Sequence, residues 1–523
     1  MNHPSDDPRR PLRQSVYLLL TVIGIGGITG RVLAVNAVDT IRLESYLKGQ
    51  GRKDWQKQRP FLSGNDRSRW CTVRALVEHG TYAIDEIVNQ PNWDTIDMVK
   101  HDEFGAAAPG PDEGHLYSSK PPLLATLMAG EYWLIHKFTG ATLGEHPYTI
   151  GRAIIITFNV LPLIVYFLLV AKLVERFGAT DWGRMFVFGA AAFGTFLGTF
   201  AVVINNHLTA AVSAAISLHA ALLIWYGDAP KSPSKTRMDL QPQGGVYIVH
   251  GGDRRLRWFA LAGFFAAFTA ANELPALAFF AAMTVGLLWK APRGTMLAYL
   301  PAALLVAAAS VGTNYLAHHS VLPAYAHRGK TNALAQRLDP HAGDNWYDYQ
   351  YRRGEKRIID SYWSKLETRS PIDQGEPDRA VYAFHVLIGH HGIFSLTPIW
   401  LLSVLGVGIL CFRREPHWIA LGVLIGSVSA VCIAFYLLRP LEDRNYGGMN
   451  SGFRWVFWFA PLWLVAMLPA ADAAATHRWS RGLACLLLAF SVLSVTYPAW
   501  NPWVHPWILD FLLSQDAVKL GMR

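Results

Sequence analysis

Cysteine is scarce, and what little there is excludes two classes of protein at once. The chain has four cysteines in 523 residues; Cys411, Cys432 and Cys485 fall in or beside apolar runs and only Cys71 lies in a polar stretch. No disulfide framework and no metal-ligand spacing can be built from them. Charge is also in short supply, at 16% of residues against 52% hydrophobic, which excludes a string of soluble domains. No removable leader is evident: Ser15 to Val38 is long for a signal-peptide core, has no clear small-residue cleavage site, and reads as a signal anchor. Neither a repeat of solenoid period nor the inverted pair of broken helices found in many transporters is visible.

What is present is a series of apolar runs of bilayer-spanning length, separated by polar links. The net charge of +9 needs no nucleic-acid partner, because basic residues collect in the short links, where they set orientation. Arg9, Arg10 and Arg13 place the N-terminus in the cytoplasm. The segment Pro121 to Phe138 decides the rest by parity. If it lies in the interface, the basic links Lys172–Arg184, Lys231–Arg257, Lys290–Arg293, Arg413–Arg414 and Arg478–Arg481 all share the cytoplasmic side; if it spans, all fall outside. The positive-inside rule favours the first arrangement, with the Pro pair starting an interfacial helix and about eleven spans in all.

The expected fold is therefore an all-α polytopic membrane protein. Its divisions are a cytoplasmic N-terminus (1–14), a first span (15–38), a large outer segment with interfacial helices (39–150), a bundle (151–317) with a mobile cytoplasmic link (227–257), a second outer segment (318–392), a C-terminal bundle (393–499) and a Trp-rich outer tail (500–523). The run Trp258 to Trp289 is too long for one span and is broken by Asn272-Glu273-Leu274-Pro275, so it should cross twice, with Glu273 near the outer surface.

The first outer segment carries the most suggestive chemistry. From Asp66, residues Trp70, Val73 and Val77 follow at helical spacing, so an acid heads an apolar stripe near a helix N-terminus. Ser63-Gly64-Asn65-Asp66 equally fits a capping box, in which Asp66 would only bind backbone N–H groups. The segment closes on Tyr117-Ser118-Ser119-Lys120-Pro121-Pro122-Leu123. Three more polar groups point to the same face: Asn205-Asn206-His207 in a short turn, Asn272-Glu273 at the broken span, and Glu442 to Arg454 with Gly447, Gly448 and Gly452. Each has a plainer explanation: a wet turn, a cap beside Pro275, a lysine snorkelling to headgroups. Polar groups at membrane depth are costly unless they share a cavity or partners, and their common side points to one site.

In order and topology these motifs resemble the GT-C superfamily of membrane glycosyltransferases, in particular the branch of protein O-mannosyltransferases and lipid A aminoarabinose transferases. The resemblance rests on Asp66 with Trp70 at i+4, on Lys120 to Leu123 opening an interfacial helix, on Arg152 soon after it, and on Gly447, Gly448, Gly452 and Arg454 followed by Pro461. It is thin between Arg328 and His385. It implies a GT-C-like bundle and a polyprenyl-phosphate sugar donor, held by membrane lipid and transferred to a protein or glycolipid acceptor. Asp66 would be the catalytic base, and Lys120, Arg454 and Arg152 would bind donor phosphate. Trp70, Tyr117, Asn206, His207, Asn272, Glu273, Gly447, Gly448 and Gly452 would line the site. The implied location is the outer face of the inner (plasma) membrane. Two departures stand out: Arg67 follows Asp66 where the family often has a second acid, and Asn206-His207 replaces an acid in the second outer turn. They leave a divalent metal possible but unassigned, and no other cofactor is implied. A transporter or lipid flippase, and an acyltransferase using His207, His390 or His391, remain as other classes.

Overall fold

The computed structural model describes residues 7–34, 49, 51, 61–227, 255–354 and 357–515. Nearly all of the expected mobile link 227–257 lies outside the described residues, as does much of the expected outer segment before Phe61. Among the described residues, eight helices are long and apolar enough to cross a membrane: Arg10–Ala34, Pro147–Phe177, Asp181–Phe200, Asn206–Tyr226, Pro292–His318, Pro416–Leu437, Arg454–Ala474 and Arg478–Thr496. Three shorter helices, Leu256–Asn272, Leu274–Lys290 and Trp400–Cys411, bring the apolar segments to the eleven expected. The chain is an all-α polytopic membrane protein.

Proline punctuates these elements where its missing N–H is harmless. Pro122, Pro147, Pro292 and Pro416 all stand in first turns, and the helix Pro122–Thr139 starts at the Pro pair. At the broken span, Leu256–Asn272 stops, Leu274–Ala276 forms a short 3₁₀ turn around Pro275, and Leu277–Lys290 continues. The break leaves Asn272 and Glu273 at a helix end, where their side chains can turn inward.

Two helices form the centre of the bundle. The most apolar stretches of Asn206–Tyr226 and Arg454–Ala474 are 78% and 89% buried, against 22% for Arg10–Ala34, Pro292–His318 and Arg478–Thr496 on the outside. Small residues permit this closeness. A Cβ on Gly406 would meet the Ala466 carbonyl, and one on Gly263 would meet the Tyr299 backbone, so each helix pair approaches at a glycine.

The two large polar segments pack on each other. The first contains the helix Gly64–Glu78, packed on Pro122–Thr139, and the antiparallel ladder Met98–His101 with His115–Ser118. The second contains the ladder Gln350–Arg353 with Arg357–Asp360. Trp346, fully buried, joins them: its carbonyl accepts the Lys100 N–H at 2.9 Å and its indole N–H donates to the Gly105 carbonyl at 2.9 Å. His101 Nε2 also meets His318 Nδ1 at 3.0 Å, and the His327 ring stacks on Trp346 at 3.5 Å between centroids.

Candidate functional site

The helix Gly64–Glu78 is capped by Ser63, whose Oγ accepts the Asp66 N–H at 3.1 Å. That bond is one half of a capping box, and the Asp66 carboxylate also takes backbone N–H groups, from Leu62 and Ile204, so it serves the helix start as well as its other contacts. Asp66 is 1% exposed, and its Oδ1 accepts the Trp70 indole N–H at 2.9 Å and the Ile204 N–H at 3.3 Å. Trp70 in turn stacks on Phe61 at 4.3 Å. Burial pushes the Asp66 carboxyl up to about 7, against the opposing charge of Arg69 and the Trp70 hydrogen bond. An acid that loses its proton near neutrality is matched to base work.

Beside Asp66, a polar network starts at Arg69 and crosses to the bundle centre. Arg69 donates to the Asn65 carbonyl at 3.1 Å and side-chain oxygen at 2.6 Å, and to Asn206 Oδ1 at 2.7 Å. Asn206 donates to the Asn272 carbonyl and to Glu273 Oε1, both at 2.8 Å. Glu273 also contacts His207 Nδ1, and His207 Nε2 meets Arg454 NH1 at 2.8 Å. Arg454 is held further by the Gly447 carbonyl, which accepts from Nε at 3.0 Å and NH2 at 2.9 Å. Gly447 and Gly448 have φ of 90° and 79°, backbone that glycine adopts without penalty. A Cβ on Gly452 would lie 2.9 Å from the Phe196 ring.

Lys120 borders the same network. Its ammonium pairs with Asp97 at 3.0 Å; burial first, and the charges of Arg69 and Arg454 after it, push it down to about 8 despite Asp97. Arg69 is likewise pushed down to about 10, by burial and by nearby Arg454. Three cations therefore crowd one region with Asp66, Asp97 and Glu273. On its other side Asp66 borders a small open cleft walled by Phe61, Tyr148, Arg152, Ile155 and Val202.

The structure thus brings Asn206, His207, Asn272, Glu273, Gly447 and Arg454 into one bonded network through Arg69, with the bonded pair Asp66 and Trp70 and the Lys120 ammonium beside it and Arg152 across the Asp66 cleft. Gly448 and Gly452 shape the adjoining turn. Tyr117 lies elsewhere: it stacks on His101 at 4.1 Å and packs with Val99, Trp346 and Tyr347 in the core between the polar segments. Arg67, in the place of a second acid, binds the carbonyls of Asp94 at 2.7 Å and Phe61 at 3.1 Å.

Two partners escaped sequence reasoning. Arg69 had a usable signal, standing three residues after Asp66 on a helix, where side chains are neighbours. Asp97 had none, because strand pairing and the turn at Ser118 and Ser119 carry it to Lys120 from 23 positions away. Among the described residues no three His, Cys, Asp or Glu side chains converge on a metal-sized gap. Asp97 is matched to Lys120, and Glu273 to His207 and Asn206. This donor set does not fit the divalent metal that the resemblance allows.

No protein-family model and no curated protein matches the chain. Among solved structures it is similar to the archaeal oligosaccharyltransferase AglB from Archaeoglobus fulgidus, in complex with an inhibitory peptide and a dolichol-phosphate, with 11% identity and a TM-score of 0.42. The match covers 94% of this chain and 56% of that one, so the chain spans little more than half the length of that neighbour. A likeness of that size decides neither chemistry nor family, and the functional reading has to come from the network around Asp66.

Proposed function

We propose that this protein is an inverting GT-C-type glycosyltransferase that moves a sugar from a polyprenyl-phosphate donor to a protein or glycolipid acceptor at the outer face of the inner membrane. The observation that carries the reading is the meeting of one buried carboxylate, poised near pH 7, with Lys120, Arg69 and Arg454. In this mechanism Asp66 takes the acceptor hydroxyl proton as that oxygen attacks the anomeric carbon. The bond from that carbon to the phosphate oxygen breaks, and the electron pair leaves with the lipid phosphate. General-base help of this kind contributes roughly 10²–10⁴-fold.

Charge is balanced through the step. The departing phosphate gains one negative charge as Asp66 loses one by protonation, so the cations face the same total throughout. Lys120, Arg69 and Arg454 stabilise the phosphate where its charge grows. The cleft beside Asp66, with Arg152 on its wall, gives the acceptor a way to the base. Single displacement inverts the anomeric centre and needs one carboxylate, unlike the paired acids of glycoside hydrolases. In this reading residues 39–150 form the catalytic segment and 318–392 cover it. The gathering of basic links on one side supports a cytoplasmic N-terminus.

The test is donor consumption by purified protein in lipid, with a panel of polyprenyl-phosphate sugars and candidate acceptors. Release of polyprenyl phosphate by wild type, lost at least 100-fold in Asp66→Asn, is the expected result for a base of this strength. Normal turnover by that variant would remove Asp66 from the mechanism.

A further inference from the structure

The Glu273 carboxylate sits between two arginines, yet it reaches each of them through a neighbouring neutral side chain. We propose that His207 and Asn206 are positioning residues through which Glu273 aims Arg454 and Arg69 at the phosphate of a lipid-phosphate ligand; the inference rests on the reading above. It follows from the directions of the hydrogen bonds. Arginine only donates, so His207 Nε2 accepts from Arg454 at 2.8 Å and the ring proton must be on Nδ1, facing Glu273. The Asn206 amide is fixed in the same way: its oxygen accepts from Arg69 at 2.7 Å, and its nitrogen donates to Glu273 and to the Asn272 carbonyl at 2.8 Å.

The fold frees these two side chains for the task. Asn205 caps the helix Asn206–Tyr226, its Oδ1 accepting the Leu208 N–H at 3.1 Å, so neither following residue is needed as a cap. The broken span supplies the carboxylate, and His207 is 1% and Glu273 5% exposed. The indirect contact has a consequence for charge. A carboxylate bound directly to a guanidinium would occupy its fork and neutralise it on the spot. Through an imidazole and an amide, Glu273 holds both arginines in place while their charge stays available to an anion. Arg454 spends three of its five N–H groups on His207 and Gly447, which fixes the plane of the remainder.

Binding of decaprenyl phosphate and of decaprenol, as the phosphate-free control, would be measured on full-length protein in neutral lipid nanodiscs. His207→Phe fills the space without an acceptor, whereas His207→Gln returns an oxygen near the Nε2 position. Asn206→Ala removes the link to Arg69 and leaves the Asn205 cap intact. We expect wild type to prefer the phosphate and His207→Phe and Asn206→Ala to lose about tenfold of that preference, with His207→Gln within about threefold of wild type. Equal losses in the Gln and Phe variants, or undiminished preference in Asn206→Ala, would overturn the relay. So would a wild type that binds both lipids alike. Phosphate preference that depends on His207 in a protein that transfers no sugar would instead remove the transferase reading and leave the relay standing.

Discussion

At the scale of single residues, Asp66 and Lys120 set a narrow working range. Free-enzyme kcat/KM should rise as Asp66 loses its proton near pH 7 and fall as Lys120 loses its own near pH 8, a bell whose limbs stand about one pH unit apart. A profile flat from pH 6 to 9 would contradict both roles. Asp66 also has a stability signature. Its carboxyl is raised in the folded state from the ordinary 3.8 to about 7, so the folded chain binds the proton more tightly in that window and loses stability as pH rises through it. The displacement corresponds to on the order of 4 kcal/mol. Asp66→Asn should therefore unfold at a higher temperature than wild type at pH 8, with the gap closing below pH 4, while it stays inactive. That gap measures the cost of holding a buried carboxyl ionised, and the loss of activity measures its part in the chemistry.

At the scale of elements, two glycines should separate folding from function. Gly447 holds φ of 90° in the turn whose carbonyl anchors Arg454. Gly447→Ala should strain that turn by about 1–2 kcal/mol and weaken donor use while the bundle stays folded, which donor KM and thermal unfolding together would show. Gly406 is the opposite case. Its Cα lies against the Ala466 carbonyl between Trp400–Cys411 and Arg454–Ala474, so Gly406→Val should push the two helices apart and lower the unfolding temperature. Gly408→Val, two positions along the same helix with open space around it, is the control and should change little. Equal effects at 406 and 408 would mean that helix propensity, and not close approach, governs this pair.

At the scale of the whole molecule, the parity of the basic links predicts sidedness. Cysteines placed at the exposed Lys330, in the second polar segment, and at Arg413, in a basic link, should be labelled from opposite sides of an intact membrane. With the N-terminus inside, the reagent added outside should reach Lys330→Cys and spare Arg413→Cys. Labelling of Arg413→Cys from outside with Lys330→Cys spared would mean that the helix Pro122–Thr139 spans, and would undo the parity argument.

Much of the molecule was legible because its signals are local. Apolar runs, the Pro pair before Leu123, the break at Asn272 to Pro275 and the spacing of Trp70 after Asp66 all depend on residues within a turn or two of each other. Hydropathy and proline geometry then determine helices with little help from elsewhere. The site could be read only as four separate polar groups that share a face. Which of them touch depended on packing across the bundle. Asn206 and Glu273 are 67 positions apart, Arg454 and His207 247 apart, and no pattern in either neighbourhood specifies the other. Tyr117 shows the same limit: its nearness in sequence to Lys120 could not say that its ring would pack against His101 and Trp346 instead of the site. The amino-acid sequence by itself determined an all-α membrane bundle, because burial in lipid is decided segment by segment. Only the tertiary structure decided that one glutamate would answer two arginines beside a buried aspartate, because that pairing exists nowhere until the helices pack.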